Sequence, residues 1–442
     1  MASLGWRSLT ISVALQLGGI LTLHNLCLAF YPKAELDLYG LSDFYPLSVF
    51  QFRLPTPSQV ALGGIFIGLF VWLQPRLSRR DTRLSYLFLA GLAFALISNL
   101  LQGWQRGIVY PTATIGDAGF EYYHDAVKLE GARAFLERFN ATQDRLFDHS
   151  RTHPPGPVLL YYALHLLLQD PGAISLAVCA LSLALALPYL RRFLRQAFSE
   201  EPPGVLLLFC ILPAILIYGL AVVDAVIAAV MLATVVEFLD ARRPHTWLLS
   251  SAFLALSLFF TFGALVLLPV LVGFELLRRR SLTRSVRVIV TAGLLLASLR
   301  ALGFDWLEAF VQASRLENER GFLLFADPRR YFWYRLGAIA EIAFFFTPFL
   351  VLLSFRGLGA LRASSADFYA LTLLALASLL ALLLSGAMQV GEAARICMFI
   401  LPYLLLPASS GWREMDEPSR RRILYAVFGW GLTQQLFGFY YW

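Results

Sequence analysis

Apolar residues in this chain fall into long continuous runs, separated alternately by short arginine-rich turns and by longer polar stretches that hold most of the acidic residues. A helix rising about 1.5 Å per residue needs roughly 20 apolar residues to cross the hydrocarbon layer. Several runs reach that length and others fall short of it, and the strict alternation expected of membrane β-barrel strands is missing. The pattern predicts crossings over 9–28 and near 58–74, 85–103, 172–190, 204–219, 220–239, 246–262, 263–277, 286–303, 332–354, 369–386, 396–409 and 423–441. The stretch 156–168 reads as a short re-entrant or tilted helix between a polar loop and the 172–190 crossing. With Arg7 ahead of it, the first run is too long for a cleaved signal and reads as a retained helix. The expected fold is an all-α polytopic membrane protein with about 13 transmembrane helices, the N-terminus inside and the C-terminus outside.

Orientation follows from the basic clusters. Arg76, Arg79, Arg80 and Arg83, then Arg191, Arg192 and Arg195, then Arg278, Arg279, Arg280, Arg284 and Arg287, and finally Arg413, Arg420, Arg421 and Arg422 occupy short turns, as cytoplasmic loops do. The long polar segments 31–57, 104–155 and 304–331 then all fall on the extracytoplasmic face. Residues 1–442 are expected to form a single transmembrane unit, without internal repeats or an appended soluble domain.

Composition agrees with the pattern. The chain is 58% hydrophobic and 15% charged, where soluble domains carry about 25% charged residues. Its net charge of +7 is accounted for by the basic turns, so no nucleic-acid partner is implied. The four cysteines lie within apolar runs and lack metal-ligand spacing, which points to neither a disulfide framework nor a zinc site.

The chemistry concentrates in the second outer loop. It reads Gly116-Asp117-Ala118-Gly119-Phe120-Glu121-Tyr122-Tyr123-His124-Asp125-Ala126 and closes with His153-Pro154-Pro155-Gly156. A helix starting near Phe120 would put Glu121 and Asp125 on one face at i,i+4, with Asp117 at its N-terminal end. Capping by Asp117 and a solvated acidic face is the plain reading; a set of catalytic carboxylates is the sharper one. Consecutive prolines cannot propagate a helix, so the second motif makes a rigid lead-in to the next apolar segment.

In order, these pieces resemble the GT-C class of integral-membrane glycosyltransferases, which includes protein O-mannosyltransferases and the aminoarabinose transferase of lipid A. The likeness covers the first half of the chain and continues through Leu190-Arg191-Arg192-Phe193 and Leu220-Ala221-Val222-Val223-Asp224-Ala225. Where the class pairs Asp with Glu, this chain has Asp117-Ala118, so the base it implies is Asp117, with Glu121 and then Asp125 as alternatives. The resemblance implies a bacterial inner-membrane enzyme whose active site faces the extracytoplasmic side. It would transfer a sugar from a polyprenyl-phosphate donor to a lipid, glycan or protein acceptor, inverting the anomeric centre. A carboxylate must stay ionised within hydrogen-bond reach of the acceptor hydroxyl, and guanidinium groups at the same depth would stabilise the departing phosphate. Tyr123, His124 and His153 would line the substrate site. Some members use a divalent cation, for which His124, His149 and His153 with Asp117 and Glu121 are the available ligands.

Further candidates lie downstream. Gly391-Glu392-Ala393-Ala394-Arg395 opens a late Pro-containing helix, so Arg395 is a candidate phosphate ligand and Glu392 either its partner or a second contact. Asp224 reads equally as a helix cap or a site carboxylate. Arg329 and Arg330 are further candidates for the donor phosphate; they precede the aromatic run Tyr331-Phe332-Trp333-Tyr334, whose plain reading is a bilayer-interface belt. Glu341, within an apolar run, must be protonated, paired or open to a wet cavity. The competing function is a lipid-linked sugar flippase or other transporter, which would concentrate such groups at mid-bilayer and often show repeats.

Overall fold

The computed structural model describes residues 50–113, 122–220, 222–241, 243–318, 321–386 and 393–440, with isolated positions between 10 and 22. Apart from a two-stranded antiparallel ribbon pairing Phe50–Phe52 with Gly438–Tyr440, its regular structure is helical. The first half holds α1 (Pro57–Leu77), α2 (Leu84–Leu100), three short helices α3 (Tyr122–Ala126), α4 (Ala132–Thr142) and α5 (Asp148–Arg151), then α6 (Gly156–Leu168), α7 (Pro171–Phe198), the broken pair α8 (Val205–Cys210) and α9 (Pro213–Tyr218), and α10 (Val223–Leu239). The second half continues with α11 (Thr246–Phe260), α12 (Leu267–Arg279), α13 (Thr283–Ser298), α14 (Trp306–Glu317), α15 (Leu323–Ala326), α16 (Pro328–Phe346), α17 (Pro348–Ser364), α18 (Ala366–Leu384), α19 (Ala393–Ile396), α20 (Leu401–Arg413) and α21 (Glu417–Phe437).

Among the described residues, five helices are long and apolar enough to cross a membrane, or six when the bent pair α16–α17 is taken as one span. The starts are set by local chemistry. Thr56 and Gln59 form a reciprocal capping box at α1. Asp170, Asp305, Asp327 and Asp416 each accept an amide of the turn that follows, and Pro occupies the first turn of α7, α16 and α21.

Among the described residues the expected crossings 332–354, 204–219 and 263–277 are broken or begin late, and most of the 9–28 crossing lies outside the described residues. The run 332–354 is not one helix: it breaks at Thr347, where α16 and α17 meet at 94°. Thr347 has φ +80, a strained conformation for a β-branched residue, and Pro348 bars it from continuing the helix. The run 204–219 is interrupted at Ile211-Leu212, because Pro213 has no amide to donate. The helix in 263–277 begins only at Leu267, after a 3-10 turn over Phe262–Val266. The 156–168 segment forms the expected short helix α6, and α7 runs longer than expected, to Phe198.

Buried charge fastens one end of the bundle. Arg192 of α7 pairs with Glu237 and Asp240 at the end of α10, and Tyr189 donates to the same Glu237 at 3.2 Å. Arg284 donates to the Glu237 carbonyl at 2.9 Å and to Thr246 Oγ1 at 2.7 Å, while Glu275 accepts from the Ser285 amide at 2.6 Å. Arg191–Glu201 adds to this end, and Arg278–Asp367 pairs on its exposed surface. The arginine-rich turns therefore gather at one end, and the polar loop between α2 and α6 lies at the other.

Close helix contact depends on glycine at two crossings. A Cβ on Gly357 of α17 would lie 1.8 Å from the Pro407 carbonyl oxygen of α20, so only hydrogen fits. At the loop end, a Cβ on Gly156 would lie 2.4 Å from the Phe259 carbonyl oxygen of α11. The glycine of the His-Pro-Pro-Gly motif thus seats α6 against the C-terminal end of α11.

Candidate functional site

Four separate stretches of chain meet at the loop end. The first is the start of α10, where Asp224 occupies the opening turn. The second is the start of α19, where Arg395 is buried and its Nε lies 3.4 Å from Asp224 Oδ2. The third is α16. It meets α17 at 94°, and its Glu341 reaches the α19 start, where Oε1 accepts the Ala394 amide at 3.0 Å. The fourth is the His-Pro-Pro-Gly turn, whose His153 is near enough to Arg395 for the guanidinium charge to act on it.

His153 is held in one chemical form. Its Nδ1 lies 2.9 Å from the His149 carbonyl oxygen, and a carbonyl only accepts, so Nδ1 carries the proton and Nε2 is left as an acceptor. Burial pushes its pKa down to about 3, with the neighbouring His149 and Arg395 acting in the same direction against the His149 carbonyl. A neutral imidazole therefore lies within electrostatic reach of a guanidinium that is paired with Asp224.

The loop reaches this cluster through Tyr122. Its ring meets His153 edge-on at 5.5 Å, lies 5.9 Å from His149 and stacks on Tyr161 of α6 at 6.3 Å. Tyr123 turns the other way: its hydroxyl contacts His165 Nδ1 at 3.1 Å and the Gln169 carbonyl at 3.4 Å. Burial and the Asp170 charge raise the Tyr123 phenol. These contacts tie α3 to both the middle and the far end of α6, which keeps α6 beside the loop. His124 packs against Phe147 at 5.7 Å, and the Lys128 ammonium lies 4.3 Å above that same ring.

Asp125 is buried, and its Oδ2 accepts the Phe147 amide at 3.0 Å. Burial raises its carboxyl above the usual range, opposed by the Ser150 hydroxyl, the Phe147 amide and the Lys128 and His124 charges. In this position it closes the loop between α3 and α5. Asp117, Glu121 and Glu392 lie outside the described residues.

Arg329 is exposed, and Arg330 engages its own helix, donating to the Tyr334 hydroxyl with its guanidinium 5.3 Å above that ring. The structure does not bring either into the Asp224–Arg395 cluster through a described contact. One buried cation escaped the sequence reading. Arg335 is 6% exposed, and its guanidinium sits 4.9 Å over the Tyr331 ring on the same helix as Glu341. The signal was present as a charge inside an apolar run, masked by the interfacial character of the aromatic residues before it. Among the described residues no three His, Cys, Asp or Glu side chains are grouped closely enough to hold a metal ion.

Comparison with protein-family models, with curated proteins and with solved structures finds no match for this chain. Its function is read from the site.

Proposed function

We propose that the chain is a membrane glycosyltransferase that takes a sugar from a polyprenyl-phosphate donor and passes it to an acceptor hydroxyl on the extracytoplasmic face. The observation that carries this reading is the meeting of Arg395, Asp224, Glu341 and His153, from four separate stretches of chain, at the end of the bundle away from the arginine-rich turns. Ionisable groups at membrane depth are costly and are retained where they handle charge. A guanidinium there suits a lipid phosphate whose negative charge grows as the sugar departs. The neutral His153 supplies a hydrogen-bond acceptor for a hydroxyl without adding charge.

In this reading the chain crosses the inner membrane about 13 times, with the arginine-rich turns in the cytoplasm. Arg395 holds the phosphate, Asp224 orients Arg395, and the loop ahead of Tyr122 supplies the general base, with Asp117 the first choice and Glu121 the second. Arg329 and Arg330 anchor α16 at the bilayer surface.

The test uses proteoliposomes and a panel of radiolabelled polyprenyl-phosphate monosaccharides, comparing wild type with Asp117→Asn and Arg395→Ala. Sugar transfer or slow hydrolysis by wild type, lost in both variants, is the expected result. Turnover equal to wild type in Asp117→Asn moves the base to Glu121. Absence of turnover with every donor, together with movement of the lipid across the bilayer, replaces the enzyme with a transporter.

A further inference from the structure

We propose that Glu341 is a positioning residue for Arg395, setting where the guanidinium meets a lipid phosphate monoester by holding the backbone one residue before it. This rests on the reading of Arg395 as the phosphate ligand.

The carboxylate is 1% exposed and accepts the Ala394 amide at 3.0 Å. That amide belongs to the opening turn of α19, which continues through a 3-10 turn over Cys397–Ile400 into α20 so that Ala393–Arg413 forms one span, and amides of an opening turn lack an intrahelical acceptor. A carboxylate from another helix therefore acts as a cap, and it does so at the residue adjoining Arg395. The two acidic groups act on different parts of the same residue pair. Asp224 faces the guanidinium, and Glu341 grips the backbone.

The helix that carries Glu341 ends at Thr347. There α16 meets α17 at 94°. A strained residue, φ +80 at a buried Thr347, is kept at that turn. The geometry couples α16, with its arginine and aromatic residues, to the position of a single cation on α19. Misplacing a binding group by about 1 Å is enough to cost much of its effect.

The test measures binding of a polyprenyl monophosphate to the full-length protein in nanodiscs, alongside hydrogen–deuterium exchange at 393–396. Glu341→Gln keeps an acceptor oxygen, whereas Glu341→Leu removes it. The expected outcome is that Glu341→Leu weakens binding about tenfold or more while Glu341→Gln stays within about threefold of wild type. Exchange at Ala394 should rise only in Glu341→Leu, and Glu341→Leu combined with Arg395→Ala should bind no more weakly than Arg395→Ala alone. An unchanged thermal midpoint in Glu341→Gln checks that the fold is kept.

Wild-type binding in Glu341→Leu overturns the proposal, as does unaltered exchange at Ala394 or a Glu341→Leu effect that adds in full to that of Arg395→Ala. A different result marks failure of the underlying reading. If wild type and Arg395→Ala bind the lipid phosphate equally, Arg395 is not its ligand and the positioning role falls with it. A rise in exchange in Glu341→Leu would then show a bond that holds the fold alone.

Discussion

Arg395 Nε lies 3.4 Å from Asp224 Oδ2, and both side chains are largely withdrawn from solvent, at 8% and 13% exposure. Removing one member of such a pair leaves the other charge buried and costs about 3–5 kcal/mol, whereas removing both costs less than the sum. Asp224→Asn and Arg395→Gln should each lower the unfolding midpoint in detergent. The double variant should recover about 1–3 kcal/mol of coupling in a double-mutant cycle. Strict additivity would show that the two charges do not interact in the folded protein.

The glycine of the His-Pro-Pro-Gly turn gives a second prediction. Gly156→Ala places a methyl 2.4 Å from the Phe259 carbonyl oxygen, a backbone atom that cannot step aside. Forced repacking of this kind costs about 1–3 kcal/mol. Gly68 of α1 has nothing within 4 Å of its added Cβ, and Gly68→Ala should leave the midpoint unchanged or raise it. Equal midpoints for the two variants would remove the packing role assigned to Gly156.

The contrast between α1 and α16 shows what the sequence made legible. A continuous apolar run with a Thr-Pro start specifies α1 from local information, because length, cap and hydrophobicity agree. The run around Glu341 is equally apolar, yet its fate turns on Thr347 and Pro348, whose effect depends on what they pack against. Glu341 therefore read as a carboxylate within an apolar run that needs a partner, and the Ala394 amide as that partner was not legible. Asp224 and Arg395 were each visible as costly charges near helix ends. Their proximity was not, since no local rule relates the starts of α10 and α19. The packing role of Gly156 was hidden for the same reason: the carbonyl it must approach belongs to Phe259, far along the chain.

Asp125 supports a prediction with an unusual sign. Burial raises its carboxyl in the folded protein, so folding favours its neutral form. The stability it contributes is fully present below the unfolded carboxyl pKa of about 3.9 and is lost as pH rises through the higher folded value. Asn keeps an oxygen to accept the Phe147 amide and carries no charge to bury. Asp125→Asn should thus match or exceed the wild-type unfolding midpoint at pH 7, while Asp125→Ala, which leaves the Phe147 amide without that acceptor, should lie below both. A midpoint for Asp125→Asn as low as that of Asp125→Ala would mean that the carboxylate charge itself holds the loop.

His153 shows the opposite pH behaviour. Its folded pKa is about 3, pushed down by burial and then by the neighbouring His149 and Arg395, against about 6.5 for an unperturbed imidazole. The unfolded chain binds the proton more readily, so the contribution is intact above about pH 6.5 and declines as pH falls, by up to about 1.4 kcal/mol per pH unit, until both forms are protonated. Nitrogen-15 imidazole spectra of the folded protein should show His153 neutral, with the proton on Nδ1, throughout pH 5–8. Arg395→Ala should shift its titration upward by removing a nearby positive charge, and His153→Gln should flatten the acid side of the stability profile. A His153 that titrates near neutrality in the folded wild type would separate it from Arg395 and make it a proton-transfer group instead of a fixed acceptor.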